Sequence, residues 1–417
     1  MQERRLKLLP IAAAVVGMGL AAGSAQALEF HGYLRSGGGS TLDKGGGQSC
    51  FKLPGADTKY RLGNECETYA EIALDQDLFE AKDGAKFAYH GRLAYISNQQ
   101  QDFESLKDNG RDIASRENWV EAKNLPFMNG ASVWAGKRFY ERNDVHITDF
   151  YYWDTSGYGI GVQGWKAGPV NLSYALFRNG NTGNDSTTRH DFRIGGISLG
   201  GAGDLTVGLQ VNFADSTNKN TNDGYGITLQ HFKGGLLGGF NKVALQYMDG
   251  SVANYGFAYP TNGNDAKDAK KWRLVEMLQW QTSPAFSGMA TLVYQKSETP
   301  LNNWVGFNST WISFGVRPVW HINDYFKIQF EYGHDEIKPE KYSQIRDKMK
   351  LDKFTIAPTI VAGRGFWARP EIRVFVTQAN WNKAARDNGG GVAGGTGGVF
   401  GSNTSGTTAG FQVEGWW

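Results

Sequence analysis

From residue 28 to the last residue, the chain repeats one pattern. Short segments recur in which apolar and polar side chains alternate with a period of two. Leu205, Val207, Leu209, Val211 and Phe213 alternate with Thr206, Gly208, Gln210 and Asn212. Phe326, Ile328, Phe330 and Tyr332 alternate with Lys327, Gln329 and Glu331. Ile372, Val374 and Val376 alternate with Glu371, Arg373, Phe375 and Thr377, and the same rhythm runs through 30–35 and 67–74. Successive side chains of a strand point to opposite faces, so each segment, about seven to ten residues long, is a strand with one apolar and one polar face. No sustained helical period competes with it. Clusters of Gly, Asn, Asp and Ser at 179–186, 218–223, 262–268 and 389–410 read as turns and loops.

Such strands suit a soluble sandwich, with the apolar face inside, or an outer-membrane barrel, with the apolar face against lipid and the polar face lining water. Three features favour the barrel. The strands are many, with neither helices nor a domain linker between them. Their polar faces carry Arg, Glu, Gln and Lys rather than small solvated residues. The chain also stops on an aromatic, with Phe411, Val413, Gly415 and Trp417 on one face. At about 20–24 residues per strand and connection, residues 28–417 supply roughly 16–19 strands, hence an even 16 or 18. A barrel of that size encloses an aqueous channel, as in a porin.

Composition narrows the alternatives. A net charge of +2 excludes the basic excess of a nucleic-acid binder. Aromatics at 13% argue against disorder. A mean hydropathy of −0.44, without an 18-residue apolar run, excludes membrane-spanning helices. Residues 1–27 read as a secretory signal peptide: Arg4, Arg5 and Lys7, an apolar stretch at 11–22, then Ala25-Gln26-Ala27. Cleavage after Ala27 leaves a barrel domain of residues 28–417, formally neutral. In the oxidising compartment beyond, Cys50 and Cys66 can close a small loop disulfide; the alternative is two free thiols.

Parity also assigns single side chains. Trp417 shares the parity of Phe411 and faces lipid, whereas Trp416 shares that of Gln412 and Glu414 and faces the lumen. Tyr33 goes with Arg35, Tyr69 with Glu71, and Trp367 with Arg369, Glu371 and Arg373. Four aromatics therefore lie on the wet face beside ionised groups, on first and last strands that become neighbours when the barrel closes. This suits sugars, whose C–H faces stack on rings and whose hydroxyls bond to charged groups.

At this point the chain resembles the maltoporin family of outer-membrane maltodextrin channels. The matching stretches include Phe30-His31-Gly32-Tyr33, the run 59–71 from Lys59-Tyr60-Arg61 to Tyr69-Ala70-Glu71, and Trp134-Ala135-Gly136-Lys137-Arg138-Phe139-Tyr140. Others are Arg142, Asp144-Val145-His146, 149–154, Trp367 with Arg369-Pro370, 372–375 and the final Trp416-Trp417; residues 165–350 match in pattern only. The resemblance implies an 18-stranded antiparallel barrel, a homotrimer in outer-membrane lipid, and an infolded third loop. It also implies a channel for maltose and maltodextrins with no cofactor, no metal and no catalysis. Carried over, its aromatic slide is Tyr33, Tyr69, Trp367 and Trp416, with Phe257 in mid-chain and Phe103 lent by a neighbouring subunit. Phe103 stands where the family usually has Trp, which weakens stacking. Its polar tracks are Arg35, Arg61, Glu71, Arg116, Arg142, Asp144 and Asp149, and Tyr151 is its steric gate. Arg142, Tyr151 and Asp154 keep the maltodextrin-type set that sucrose porins replace, and no coiled-coil segment precedes the first strand.

Other readings are weaker. Asp144 with Asp149, or Glu67 with Glu71, could be a glycosidase pair, but carboxylates are common and spacing across a cleft is not readable here. His146 has no second His or Cys at ligand spacing and reads as a hydrogen-bonded loop residue. A general-diffusion porin, a sucrose or β-glucoside porin, and a secreted β-sandwich lectin are the remaining alternatives.

Overall fold

A computed structural model describes residues 28–42, 46–57, 59–97, 111–178, 187–214, 222–255, 267–300, 306, 308–388, 392 and 399–417. The expected signal peptide, Phe103 and Phe257 lie outside the described residues.

The strands are β1 (Glu29–Thr41), β2 (Thr68–Glu80), β3 (Lys86–Ser97), β4 (Arg111–Lys123) and β5 (Ser132–Arg138). Two short strands, β6 (Asn143–Val145) and β7 (Phe150–Trp153), pair only with each other. The wall resumes with β8 (Gly157–Ala167), β9 (Val170–Arg178), β10 (Thr188–Ser198), β11 (Asp204–Phe213), β12 (Gly224–Gly234) and β13 (Phe240–Asp249). It ends with β14 (Lys270–Ser283), β15 (Phe286–Glu298), β16 (Ser309–His321), β17 (Phe326–Pro339), β18 (Met349–Val361), β19 (Glu371–Trp381) and β20 (Ser405–Trp416). All but β6 and β7 form one 18-stranded sheet of antiparallel neighbours. It closes where β1 takes β20 on one side and β2 on the other. The last strand starts at Ser405, inside the stretch 389–410 expected to be loop: its Gly and Thr residues pair with β19 because the ladder needs only backbone. Short connections, such as 81–85 and 322–325, lie at one rim; long ones, such as 42–67 and 139–156, lie at the other.

Burial is inverted relative to a soluble protein. On β19, Ile372 and Val374 are each 57% exposed, whereas Glu371 and Arg373 are 0% and 3% exposed. The same alternation runs along β17, where Lys327, Gln329 and Glu331 are buried. Valines outside and charges inside require lipid outside, because in water the exposed band would have collapsed inward. At the closing seam Trp417 lies on the lipid face over Gly32, where any Cβ would collide with its ring, and near Phe30 at 5.8 Å. Main-chain bonds between Gly32 and Trp417 run both ways at 3.1 and 3.2 Å.

The barrel is not empty. The first loop (42–67) and third loop (139–156) fold inward and pack an apolar plug. Phe51, Leu53, Tyr60, Ile147, Phe150 and Trp153 are buried against wall residues such as Val275, Met289 and Trp311. Each such side chain removed from water contributes roughly 2 kcal/mol. Tyr60 lies over Gly315 and Gly333, where a Cβ would strike its ring, and its hydroxyl meets Ser313 at 3.0 Å. Cys50 and Cys66 are disulfide-bonded, tying the first loop to its own base. Charged wall residues under the plug neutralise one another: Glu331 takes Arg317 at 2.5 Å and Lys353 at 3.1 Å, and Lys327 meets Glu371 at 2.8 Å.

Candidate functional site

Beside the plug a cavity of about 650 Å³ remains, lined by residues from β1, β2 and β4, both infolded loops, and the C-terminal end of the chain. Its aromatic side is built from Tyr33, Tyr69, Trp367 and Trp416. Register explains three of them. Tyr33 is directly opposite Trp416 across the closing seam, and Arg35 is opposite Tyr69 on the other side of β1. The Tyr33 and Tyr69 rings are 6.1 Å apart, and the Arg35 guanidinium lies 5.2 Å from the Tyr69 ring.

Trp367 differs from the parity argument. It is not on a strand but in the connection 362–370 before β19, so period two does not apply to it. It reaches the cavity because that connection turns inward, with Arg369 stacked 4.3 Å from the Trp416 ring. His146 packs between them, its ring 4.9 Å from Trp367 and 6.0 Å from Trp416.

All the expected polar residues line the same cavity: Arg35, Arg61, Glu71 and Arg116 from wall and first loop, and Arg142, Asp144 and Asp149 from the third. Arg35 donates to Asp149 at 2.9 Å and to Glu67 at 2.6 Å. Arg61 donates to Glu65 at 2.8 Å and to the Tyr33 hydroxyl at 2.8 Å, and pairs with Glu414 at 3.0 Å. The Tyr33 hydroxyl in turn donates to Glu414 at 2.9 Å, and the Tyr69 hydroxyl donates to Glu71. Arg142 is sandwiched between the rings of Phe139 and Tyr151, 3.9 Å from each, while its Nε donates to Asp154 at 3.0 Å. A guanidinium held on two faces and one edge fixes where the Tyr151 ring sits.

The infolded third loop also sets charge. Burial alone would raise the Asp149 carboxyl, but Arg61 and Arg35 hold it below its usual range. Asp144 is pushed up by burial and by Asp149 beside it. Burial, with Arg61 and Arg369 adding to it, drives the His146 imidazole well below its ordinary value against the pull of Glu414. His146, which the sequence reads as a hydrogen-bonded loop residue, also lines the cavity; Arg369 donates to its Nε2 at 3.3 Å. Its place between Asp144 and Asp149 was the available signal. Phe139 does not line the cavity, but its ring carries Arg142 and Arg116, a role for which parity gives no signal. Elsewhere, Glu29, His31 and Asp75 bring one ligand atom each within 4.8 Å of one another, with Glu29 and His31 exposed.

A closed barrel with an apolar outer band and a charged lumen narrowed by an infolded loop defines an outer-membrane channel of the porin class. More narrowly, the chain belongs to the LamB porin family, whose sequence profile matches residues 28–417, and its place is the bacterial outer membrane. Among solved structures it is similar to Acinetobacter baumannii OccAB1, with 9% identity over 95% of this chain and 98% of that one, and a TM-score of 0.53. OccAB4 of the same species and Pseudomonas aeruginosa OccK3 (OpdO) align with TM-scores of 0.49, at 9% and 11% identity. They cover 94% of this chain and 99% and 95% of their own. At such identities the likeness to OccAB1 is one of fold.

Proposed function

We propose that this porin is a channel for maltose and linear maltodextrins, passed along Tyr33, Tyr69, Trp367 and Trp416. The observation that carries this reading is that four aromatics, drawn from the start, the first hairpin and the end of the chain, line one cavity with ionised side chains. Glucose rings present C–H faces for stacking and a rim of hydroxyls that guanidinium and carboxylate groups bond. Each contact is modest, so the sugar moves on rather than staying bound. Tyr151, set by Arg142, narrows the passage. The test is channel current in planar bilayers: ion conductance should be blocked saturably by maltodextrins, more tightly as the chain lengthens. Unsaturable or absent block would make the protein a general-diffusion porin.

The family match beginning at Leu28 supports export with cleavage after Ala27. A homotrimer, with Phe103 completing a neighbour's slide and Phe257 the mid-chain position, is part of the same proposal. Cross-linking in native membranes should stop at three chains.

A further inference from the structure

Of the four arginines lining the cavity, three are matched by carboxylates. Arg35 has Asp149 and Glu67, Arg61 has Glu65 and Glu414, and Arg142 has Asp154. Arg116 has no carboxylate partner among the described residues, and its buried Nε has no hydrogen-bond acceptor. It rests against the Phe139 ring, 5.0 Å from the centroid. The same ring takes Arg142 at 3.9 Å and Arg92 at 5.5 Å. Arg92 is matched by Glu71 and Glu117, both at 2.7 Å.

The backbone places Arg116 there deliberately. Along the β3–β4 ladder, Leu93 pairs with Ser115 and Arg92 with Glu117, so Arg116 is the extra residue of a β-bulge. A bulge re-aims a side chain that strict alternation would send elsewhere. Ser115 and Asn118 are exposed on the outer side, while Arg116 and Glu117 both turn inward. Glu117, the carboxylate next in sequence, is already occupied: it accepts from Arg92 and from the Phe139 main-chain N–H at 2.9 Å. The bulge thus adds a cation to the cavity without adding a free anion.

We infer that Arg116 is an anchor for an anionic substituent, carboxylate or phosphate, on an α-glucan, so that the channel favours acidic gluco-oligosaccharides over their neutral counterparts. The inference rests on the maltodextrin reading of the cavity. A guanidinium that pairs with no carboxylate among the described residues matches the two oxygens of such a group. The neutral rings of Tyr69 and Trp416, which line the same cavity, serve the attached sugar, as they would any glucan.

The test measures block of single-channel current by two matched pairs: maltose 6′-phosphate against maltose, and maltobionate against maltitol. In the wild type the acidic member should block at roughly tenfold lower concentration at about 0.1 M salt, and the ratio should shrink near 1 M as the charge is screened. Arg116→Gln weakens block by all four compounds, but the acidic-to-neutral ratio should fall towards one. Arg116→Lys, which keeps the charge, should retain most of the ratio. A preference confined to one pair identifies the oxyanion. A wild-type ratio of one in both pairs, or a ratio unchanged in Arg116→Gln, overturns the inference. If the acidic compounds block and the neutral ones do not, the anion site stands and the maltodextrin reading falls; if none blocks, both fall.

Discussion

Tyr151 and Trp367 line the same cavity but are held by different chemistry, so their removal should have different effects. Tyr151 is fixed by Arg142, and replacing it with Ala should raise ion conductance by taking a ring out of the passage. Trp367→Ala should leave conductance nearly unchanged and weaken maltodextrin block. Losing one stacking partner costs about 1–2 kcal/mol, roughly 5–30-fold, and more for maltohexaose than for maltose because only long chains cover several rings. Unaltered maltohexaose block in this variant would make Trp367 structural. Asp149 supplies a pH test. A carboxyl held below its ordinary range gives stability that is fully present above the unfolded pKa and lost as pH falls through the folded one. The Asp149–Arg35 clasp on the third loop should therefore persist through pH 5 and loosen only below about pH 4. Conductance should then become noisier in acid, and Asp149→Asn should be noisy already at neutral pH.

At the level of the strand, alternation is the device that makes one ladder serve both lipid and water. A Cys in place of Tyr69 should react with a membrane-impermeant thiol reagent, and one in place of Val374 should not. Reversed labelling would mean the register is wrong by one residue, since a one-residue slip exchanges the two faces, and equal labelling would mean that lipid and water faces are not separated at all. The rule holds only where pairing is regular. At Arg116 a bulge suspends it, and at Trp367 there is no strand to obey it.

For the molecule as a whole, the first and third loops convert a wide barrel into a narrow channel by filling its far side with apolar side chains. The first loop carries the disulfide, closing 16 residues, which is worth about 3 kcal/mol by restricting the unfolded chain. Replacing Cys50 and Cys66 by Ser should loosen that loop while the 18-stranded wall survives. The expected result is faster proteolytic nicking between residues 42 and 67 and a noisier channel, with the barrel's resistance to detergent unchanged. Unfolding of the wall in this variant would show that the loop holds the barrel closed, contrary to the ladder pairing of β1 with β20.

What the sequence determines alone follows from covalent geometry. Strand side chains alternate whatever they pack against, so the inner positions of Tyr33, Tyr69 and Trp416 and the outer one of Trp417 were legible from parity, as was the barrel from charged inner faces. The neighbouring of first and last strands followed from closure. The tertiary structure decided what depends on residues far apart in the chain. Which carboxylate takes each arginine is set by how two loops fold into the lumen: Arg35 finds Asp149, 114 residues away, and Arg61 finds Glu414. Trp367 and His146 meet because an inward-turned connection and an infolded loop occupy the same end of the cavity. Arg116 turns inward because of a bulge, a property of two paired strands and not of either one, and no carboxylate among the described residues pairs with it there.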